Sequence, residues 1–264
     1  MSDYTPNPVA LAFDEAGNGP PLLILHGLLG QARNWASQMK RFAADYRVLV
    51  VDLRNHGRSP WAEGMTYEAM ADDIAALAER IGPPVRIVGH SMGGKVTMVT
   101  ALKYPHLVER PVVVDISPVR HEQTPFYDYL DAMLGLDLSA IARRGQADRL
   151  LADAIPSDAE RAFLLLNLAA DGGQGLRWRP NLRELRDRLP DILDWPEFLF
   201  RYRYPEPILF VAGGDSPYIQ DSHKAAIARL FPQAEYATIP GAGHWVHADQ
   251  PQAFFDTVSA FLNR

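Results

Sequence analysis

A mostly parallel β-sheet flanked by helices, with one helical insertion, is the α/β fold that this sequence predicts. Three observations predict it. Short apolar runs alternate with amphipathic segments of helical period up to residue 116 and again from residue 205. Strands buried on both faces by crossover helices read as continuous apolar runs of this kind. Between residues 117 and 204 the alternation stops, and helical segments follow one another with no convincing strand among them. Finally, the apolar run Val85–Val88 leads through Gly89-His90-Ser91-Met92-Gly93 straight into a helical segment, a strand, sharp turn and helix in sequence.

The elements follow in order. Val9 to Phe13 is a short apolar stretch suited to a sheet edge, and Asn18-Gly19-Pro20-Pro21 is turn chemistry. Leu22–Leu25 reads as a buried strand ending at His26-Gly27-Leu28-Leu29-Gly30, followed by a helix around Trp35–Ala44. The strand Arg47–Val51 ends in Asp52-Leu53-Arg54-Asn55-His56-Gly57-Arg58-Ser59-Pro60. Thr66 is a fair N-cap for a helix from Tyr67 to Arg80, where Met70, Ile74, Leu77 and Ile81 repeat at helical spacing. After the Ser91 turn and its helix, Pro111–Asp115 is the next strand. The insertion offers helices over Phe126–Leu136, Gln146–Ala154, Asp158–Ala169 and Leu182–Leu189, and Pro205 and Pro207 mark its exit. A strand at Pro207–Ala212, a helix near Tyr218–Leu230, the strand Glu235–Ile239 and a helix at Pro251–Leu262 complete the chain. Residues 1–116 and 205–264 therefore form the α/β core, and 117–204 a helical cap.

The Gly-x-Ser-x-Gly turn has the form of a nucleophile elbow. Its serine is forced into a strained backbone conformation while flanking glycines keep Cβ atoms out of the crowded turn. The hydroxyl then stands clear of the sheet. A serine so placed needs a base, an acid to orient the base, and donors for an oxyanion. For the base, His244 sits in the loop Gly241-Ala242-Gly243-His244 between the last strand and the last helix, with His247 as a competitor. The donors expected are the N–H of Met92, by its place in the elbow, and the N–H of Leu28 in the loop after Leu22–Leu25. His26 is read as a structural histidine within that loop.

Composition narrows the function classes. The chain has 264 residues, 47% hydrophobic and 22% charged, enough for one large core with an insertion. Its net charge of -6 and the lack of a long basic stripe argue against a nucleic-acid partner. With no cysteine, disulfides, thiolate metal sites and cysteine nucleophiles are excluded. Met1-Ser2-Asp3-Tyr4-Thr5-Pro6 lacks the regions of a signal peptide, and no apolar run approaches the roughly eighteen residues of a membrane span. The expectation is a cytoplasmic protein that uses no cofactor and no metal.

By these residues the chain resembles the α/β-hydrolase superfamily over essentially its whole length. Four strings narrow the resemblance: Asp52 to Pro60, Asp115-Ile116-Ser117-Pro118, Gly213-Gly214-Asp215-Ser216-Pro217-Tyr218, and Gly241 to His247. Together they are similar to a group of bacterial short-chain acyl esterases with mitochondrial relatives. In most of the superfamily the acid lies three residues beyond a glycine after the strand that follows the cap. Counted from Gly213, that position is Ser216, which cannot be an acid, and Asp215 is one residue out of register. Asp115 ends the strand before the cap, the other place from which the fold can supply a carboxylate. The narrower resemblance implies Asp115 as the acid, with Ser216 hydrogen-bonding the histidine; Asp215 stays open as the alternative.

The leading function is a serine hydrolase of carboxylic esters, with acyl-CoA thioesters as a second substrate class. A C–C hydrolase, an amidase or a perhydrolase can use the same serine machinery, and a non-catalytic small-molecule receptor is the reading from another class. Asp52 and the Arg54–Gly57 turn are read as braces of a loop, and Phe163–Leu168 as the inner face of the cap, lining an acyl pocket. Arg177, Arg179, Arg183, Arg186 and Arg188 make either a solvated face or a contact for acyl-CoA phosphates.

Overall fold

Nine strands form among the residues described in the computed structural model, which are 7–121, 124–173 and 175–264. They are β1 (Phe13–Ala16), β2 (Pro21–Leu25), β3 (Arg47–Val51), β4 (Val85–His90), β5 (Val108–Val114), β6 (Leu168–Ala170), β7 (Leu176–Trp178), β8 (Ile208–Gly213) and β9 (Ala234–Ile239). All but β6 and β7 join one sheet in the order β1-β3-β2-β4-β5-β8-β9. β1 runs antiparallel to β3, and every other pairing in that sheet is parallel. Met1–Pro6, which carry the expectation about a leader, lie outside the described residues. No described helix is long and apolar enough to cross a membrane.

Alternation along the strands divides the core between the two faces of the sheet. Leu23, Leu25, Leu49, Val51, Ile87 and Val113 pack into one cluster with α2 (Tyr67–Ile81) and α3 (Met92–Lys103), following α1 (Ala36–Phe42) in the chain. Their neighbours Leu22, Ile24, Val48, Val50, Val88 and Val112 enter the opposite cluster, which includes Trp35, Phe42, Phe254 and Phe261. Removing side chains of this size from water is worth about 1.5–3 kcal/mol each, so both faces hold the sheet. Thr66 caps α2, accepting the N–H of Ala69 at 3.2 Å.

The edge strand differs from the expected Val9–Phe13, since pairing with β3 begins at Phe13. Before it, side chains have taken the backbone donors: Val9 N–H goes to Asp73 and Ala12 N–H to Ser59. That leaves less of the stretch free to join a ladder.

Between β5 and β8 lie α4 (Phe126–Leu134), α5 (Arg144–Leu151), α6 (Asp158–Leu165), α7 (Leu182–Asp187) and α8 (Leu189–Leu193). The expected Leu182–Leu189 helix is split at Arg188, and the ring of Pro190 fits the first turn of α8. The absence of strands here is corrected. β6 and β7 pair antiparallel, with Leu168 opposite Trp178 and Ala170 opposite Leu176. Three residues per strand are too few to display a period of two. After β8 come α9 (Lys224–Leu230), α10 (Val246–Asp249) and α11 (Pro251–Leu262). The helix expected from Tyr218 starts only at Lys224, because Tyr218 is held in a loop by its carbonyl, which accepts from Ser117 Oγ at 2.9 Å.

Candidate active site

Ser91 lies at the junction of β4 and α3 with φ 52° and ψ -118°. A non-glycine residue held at positive φ costs on the order of 1–3 kcal/mol and persists only where its surroundings fix it. Here the Ser91 N–H donates to Val114 O at 2.9 Å, and its carbonyl accepts from Gly94 and Lys95 at 2.8 and 3.1 Å. The flanking glycines are demanded by contact. A Cβ on Gly89 would overlap Gly93 O and Thr97 Oγ1, and one on Gly93 would sit 2.6 Å from the carbonyl oxygens of Leu25 and His26. Backbone anchoring leaves the hydroxyl to meet His244, whose Nε2 lies 3.0 Å from Ser91 Oγ.

His244 Nδ1 is 2.7 Å from Asp115 Oδ2. A carboxylate only accepts, so Nδ1 carries the proton and Nε2 is left to accept from the serine hydroxyl. Asp115 is fully buried and, like Ser91, sits at positive φ, 51°. Its Oδ1 accepts the N–H of Gly213 at 3.0 Å. Ser216 requires a correction: its hydroxyl donates to Asp115 Oδ2 and not to the histidine. The hydroxyl has the choice of two neighbours, and the ionised carboxylate is the stronger acceptor. Asp215 is exposed, its N–H donating to Ala242 O at 2.9 Å.

The Leu28 N–H is aimed by the other half of its peptide group. Gly27 O accepts from the Gly30 N–H at 2.9 Å and from His26 Nδ1 at 2.8 Å. In a trans peptide the N–H points opposite to the C=O, so these bonds fix the direction of Leu28 N–H. His26 Nε2 accepts from Leu53 N–H at 3.0 Å, and reciprocally His56 Nε2 accepts from Leu29 N–H at 3.1 Å. Both rings are therefore neutral with the proton on Nδ1. Burial lowers both, His56 to about 3. Leu28, Ser91 and Met92 line one cavity.

Asn167 completes this loop and escapes motif reasoning. Fully buried, its Nδ2 donates to Leu29 O at 2.7 Å from beyond α6, while Leu29 itself sits at φ 59°. The only signal was a polar residue inside the apolar run Phe163–Leu168. Asn167→Ala leaves a buried carbonyl unsatisfied, an effect of about 1–3 kcal/mol. We expect kcat to fall about tenfold with little change in KM, and affinity for an alkyl boronic acid, which mimics the tetrahedral oxyanion, to fall in parallel. A lowered melting temperature with unchanged kcat and boronate affinity would limit Asn167 to holding the fold.

Other histidines have distinct places. His90 Nε2 donates to the carbonyl of His244 at 2.8 Å, so the residue before the nucleophile positions the loop of the base. The elbow pattern leaves that position unspecified, which is why sequence reasoning missed it. His247, the competing base, is stacked on Trp35 at 3.8 Å between centroids, and burial lowers it to about 3. Tyr218 stacks on the His244 ring at 4.2 Å.

Two spaces touch the serine and a third reaches its histidine. An inner cavity of about 30 Å³ touches Ser91, Leu28, Met92, Lys95, Ile116 and His121. A second, of about 40 Å³, lies between Ser91, Trp35, Phe163 and His244. An outer groove of about 460 Å³, walled by Phe126, Tyr129, Phe163, Leu164 and Trp245, reaches His244. Asp52 accepts from the N–H groups of Ala32 and Arg58, in keeping with a loop brace. Of the arginine cluster, Arg177, Arg186 and Arg188 pair with Asp171, Asp131 and Glu184, as a solvated face would. Among the described residues no group of three histidine or carboxylate side chains could hold a metal ion.

Known proteins resemble this chain in sequence and in fold. The sequence model of the alpha/beta hydrolase fold matches residues 20–251. The chain is 42% identical to the mouse (Mus musculus) sn-1-specific diacylglycerol lipase ABHD11, across 99% of this chain and 87% of the relative. It is 32% identical to the esterase YbfF of Escherichia coli K12, across 93% and 94% of the two chains. The structure of a marine microorganism esterase superposes with a TM-score of 0.90 at 34% identity, covering 96% of this chain and 99% of that one.

Proposed function

We propose that this chain, which belongs to the α/β-hydrolase family, is a serine esterase that cleaves carboxylic esters through an acyl-enzyme on Ser91. The hydrogen-bonded series from Ser91 Oγ through His244 to Asp115 is the observation that carries the reading. Ser91 Oγ attacks the acyl carbon as His244 Nε2 takes its proton. The developing oxyanion meets the N–H groups of Leu28 and Met92, and Asp115 stabilises the imidazolium. The imidazolium then protonates the leaving alcohol. Water, deprotonated by His244, attacks the acyl-enzyme and releases the acid and free Ser91. Residues 117–204 serve as a cap, a role supported by Phe126, Ile192 and Leu193 lining the inner cavity with Ser91. The reading includes a cytoplasmic location, as the lack of cysteine suggests.

Chemistry assigns the spaces. The leaving oxygen must lie at His244, so the spaces that touch His244 take the alcohol side, while the inner cavity beside the oxyanion donors takes the acyl group. In this assignment Phe163 lines the alcohol side. The inner cavity is small, about 30 Å³, so short acyl chains are favoured over long ones. Two ester series test this, one varying the acyl chain with an ethyl alcohol and one varying the alcohol with a butanoyl group. We expect kcat/KM to fall tenfold or more beyond about five acyl carbons and to tolerate octyl alcohols. Phe163→Trp should lower the octyl-to-ethyl ratio. Free tolerance of long acyl chains with exclusion of long alcohols would reverse the assignment, and no hydrolysis in either series would remove the esterase reading.

A further inference from the structure

We propose that the inner cavity is a subsite for an acyl group bearing a distal carboxylate, held by the ammonium of Lys95, so that preferred substrates are half-esters of short dicarboxylic acids. This rests on the esterase reading and deepens it.

Lys95 lies one helical turn beyond Ser91, at a spacing that puts residues on neighbouring parts of one helix face. It lines the cavity that holds the nucleophile and the two oxyanion donors, yet the mechanism gives it no task. It is only 2% exposed. Its Nζ donates to the carbonyls of Leu193 and Asp194, at 3.1 and 2.8 Å, and lies 5.5 Å from the Tyr67 ring centroid. Among the described residues no carboxylate comes within 4.0 Å of it.

Buried cations are ordinarily paired with an anion, because neutral partners only partly replace lost hydration. Satisfying two carbonyls at the end of α8 needs hydrogen-bond donors but no charge; a neutral amide would do it without the desolvation cost. What that bonding leaves without a role is the ammonium form, which the field of Asp194 supports. Burial lowers the ammonium to about 7, against the raising effect of Asp194. An anion arriving in the cavity would favour the protonated form. His121 shares the wall and does not compete for that anion, since burial and the nearby Lys95 bring it down to about 4 and leave it neutral.

The small size of the cavity favours a short chain. With the ester carbonyl at Ser91 and its oxygen toward Leu28 and Met92, the acyl chain would lie along the wall that Lys95 shares with Ser91. Succinyl and glutaryl groups, with two or three methylenes between the two carboxyl carbons, are the short members of this class and match a small cavity. The alcohol remains on the His244 side.

The test compares monoethyl succinate with ethyl butanoate and monoethyl glutarate with ethyl pentanoate, following hydrolysis by proton NMR with wild-type protein at pH 7. We expect at least one half-ester to exceed its neutral partner tenfold or more in kcat/KM. In Lys95→Met and Lys95→Gln that ratio should fall by tenfold or more, with stoichiometric fluorophosphonate labelling of Ser91 reporting a folded site. Should neither variant fold, the wild-type ratios decide. Neutral esters hydrolysed in preference to both half-esters, or a ratio unchanged in a labelled variant, would overturn the lysine subsite while leaving the esterase reading intact. Failure of wild-type protein to cleave any of the four would overturn both.

Discussion

Ser91→Ala is expected to lower kcat/KM on a short activated ester by three orders of magnitude or more, and to abolish labelling by a fluorophosphonate. Losses of this size are usual when the nucleophile of an acyl-transfer triad is removed. The fold should survive. Alanine keeps the Cβ that the φ 52° turn already accommodates, and the backbone bonds to Val114, Gly94 and Lys95 do not involve the hydroxyl. The lost contact is the 3.0 Å bond to His244 Nε2, on a ring that Asp115 still orients. Turnover, labelling and circular dichroism measured together separate the readings. A folded Ser91→Ala protein with near-normal turnover would sink the serine mechanism, and wild-type protein that binds esters without labelling would favour a receptor.

The sheet was legible because its strands are buried on both faces. Leu22–Leu25 and Arg47–Val51 stand in the sequence as continuous apolar runs and occupy those residues, or one more, in the sheet. What local pattern could not supply was competition for backbone donors. The N–H groups of Val9 and Ala12 go to Asp73 and Ser59, residues far along the chain, so the edge strand starts later than its apolar character suggests. The short pair β6 and β7 fails for another reason: each has three residues, and its order depends on its partner.

The candidate site divides along a similar line. Ser91 and His244 could be named from motif and spacing, Asp115 only from its place at a strand end and the resemblance, with Asp215 left open; the structure brings Ser91, His244 and Asp115 into one hydrogen-bonded series. Spacing orders residues along the chain; it does not say which of two nearby acceptors a hydroxyl will choose. The resemblance pairs Ser216 with the histidine, and the structure has its hydroxyl on Asp115. Asn167, His90 and Lys95 act through contacts 138, 154 and 98 residues away, at positions that no local motif constrains. Their common signal was chemical: a polar side chain where packing alone would favour an apolar one.

Asp115→Asn is expected to lower kcat by about 10⁴, the scale seen when a triad carboxylate becomes an amide. The hydrogen bonds at this site explain why the change is severe. Asp115 receives donors on both oxygens: the Gly213 N–H on Oδ1, and His244 Nδ1–H with the Ser216 hydroxyl on Oδ2. An asparagine has one acceptor and must place its NH₂ against one of these sets. If the NH₂ faces His244, the ring can keep that bond only by moving its proton to Nε2, where it can no longer accept from Ser91. If the NH₂ faces Gly213, two buried donors oppose each other and the imidazolium still loses its counter-charge. Ser216→Ala removes only one donor to the carboxylate, so a loss near tenfold is expected, on the order of 1 kcal/mol. Asp215→Asn should stay within a few-fold, because Asp215 is exposed and its N–H bond to Ala242 persists in the amide. Steady-state kinetics on the three purified variants, with melting temperatures as a check on folding, order these effects. A nearly silent Asp115→Asn beside a crippled Asp215→Asn would transfer the acid to the strand after the cap.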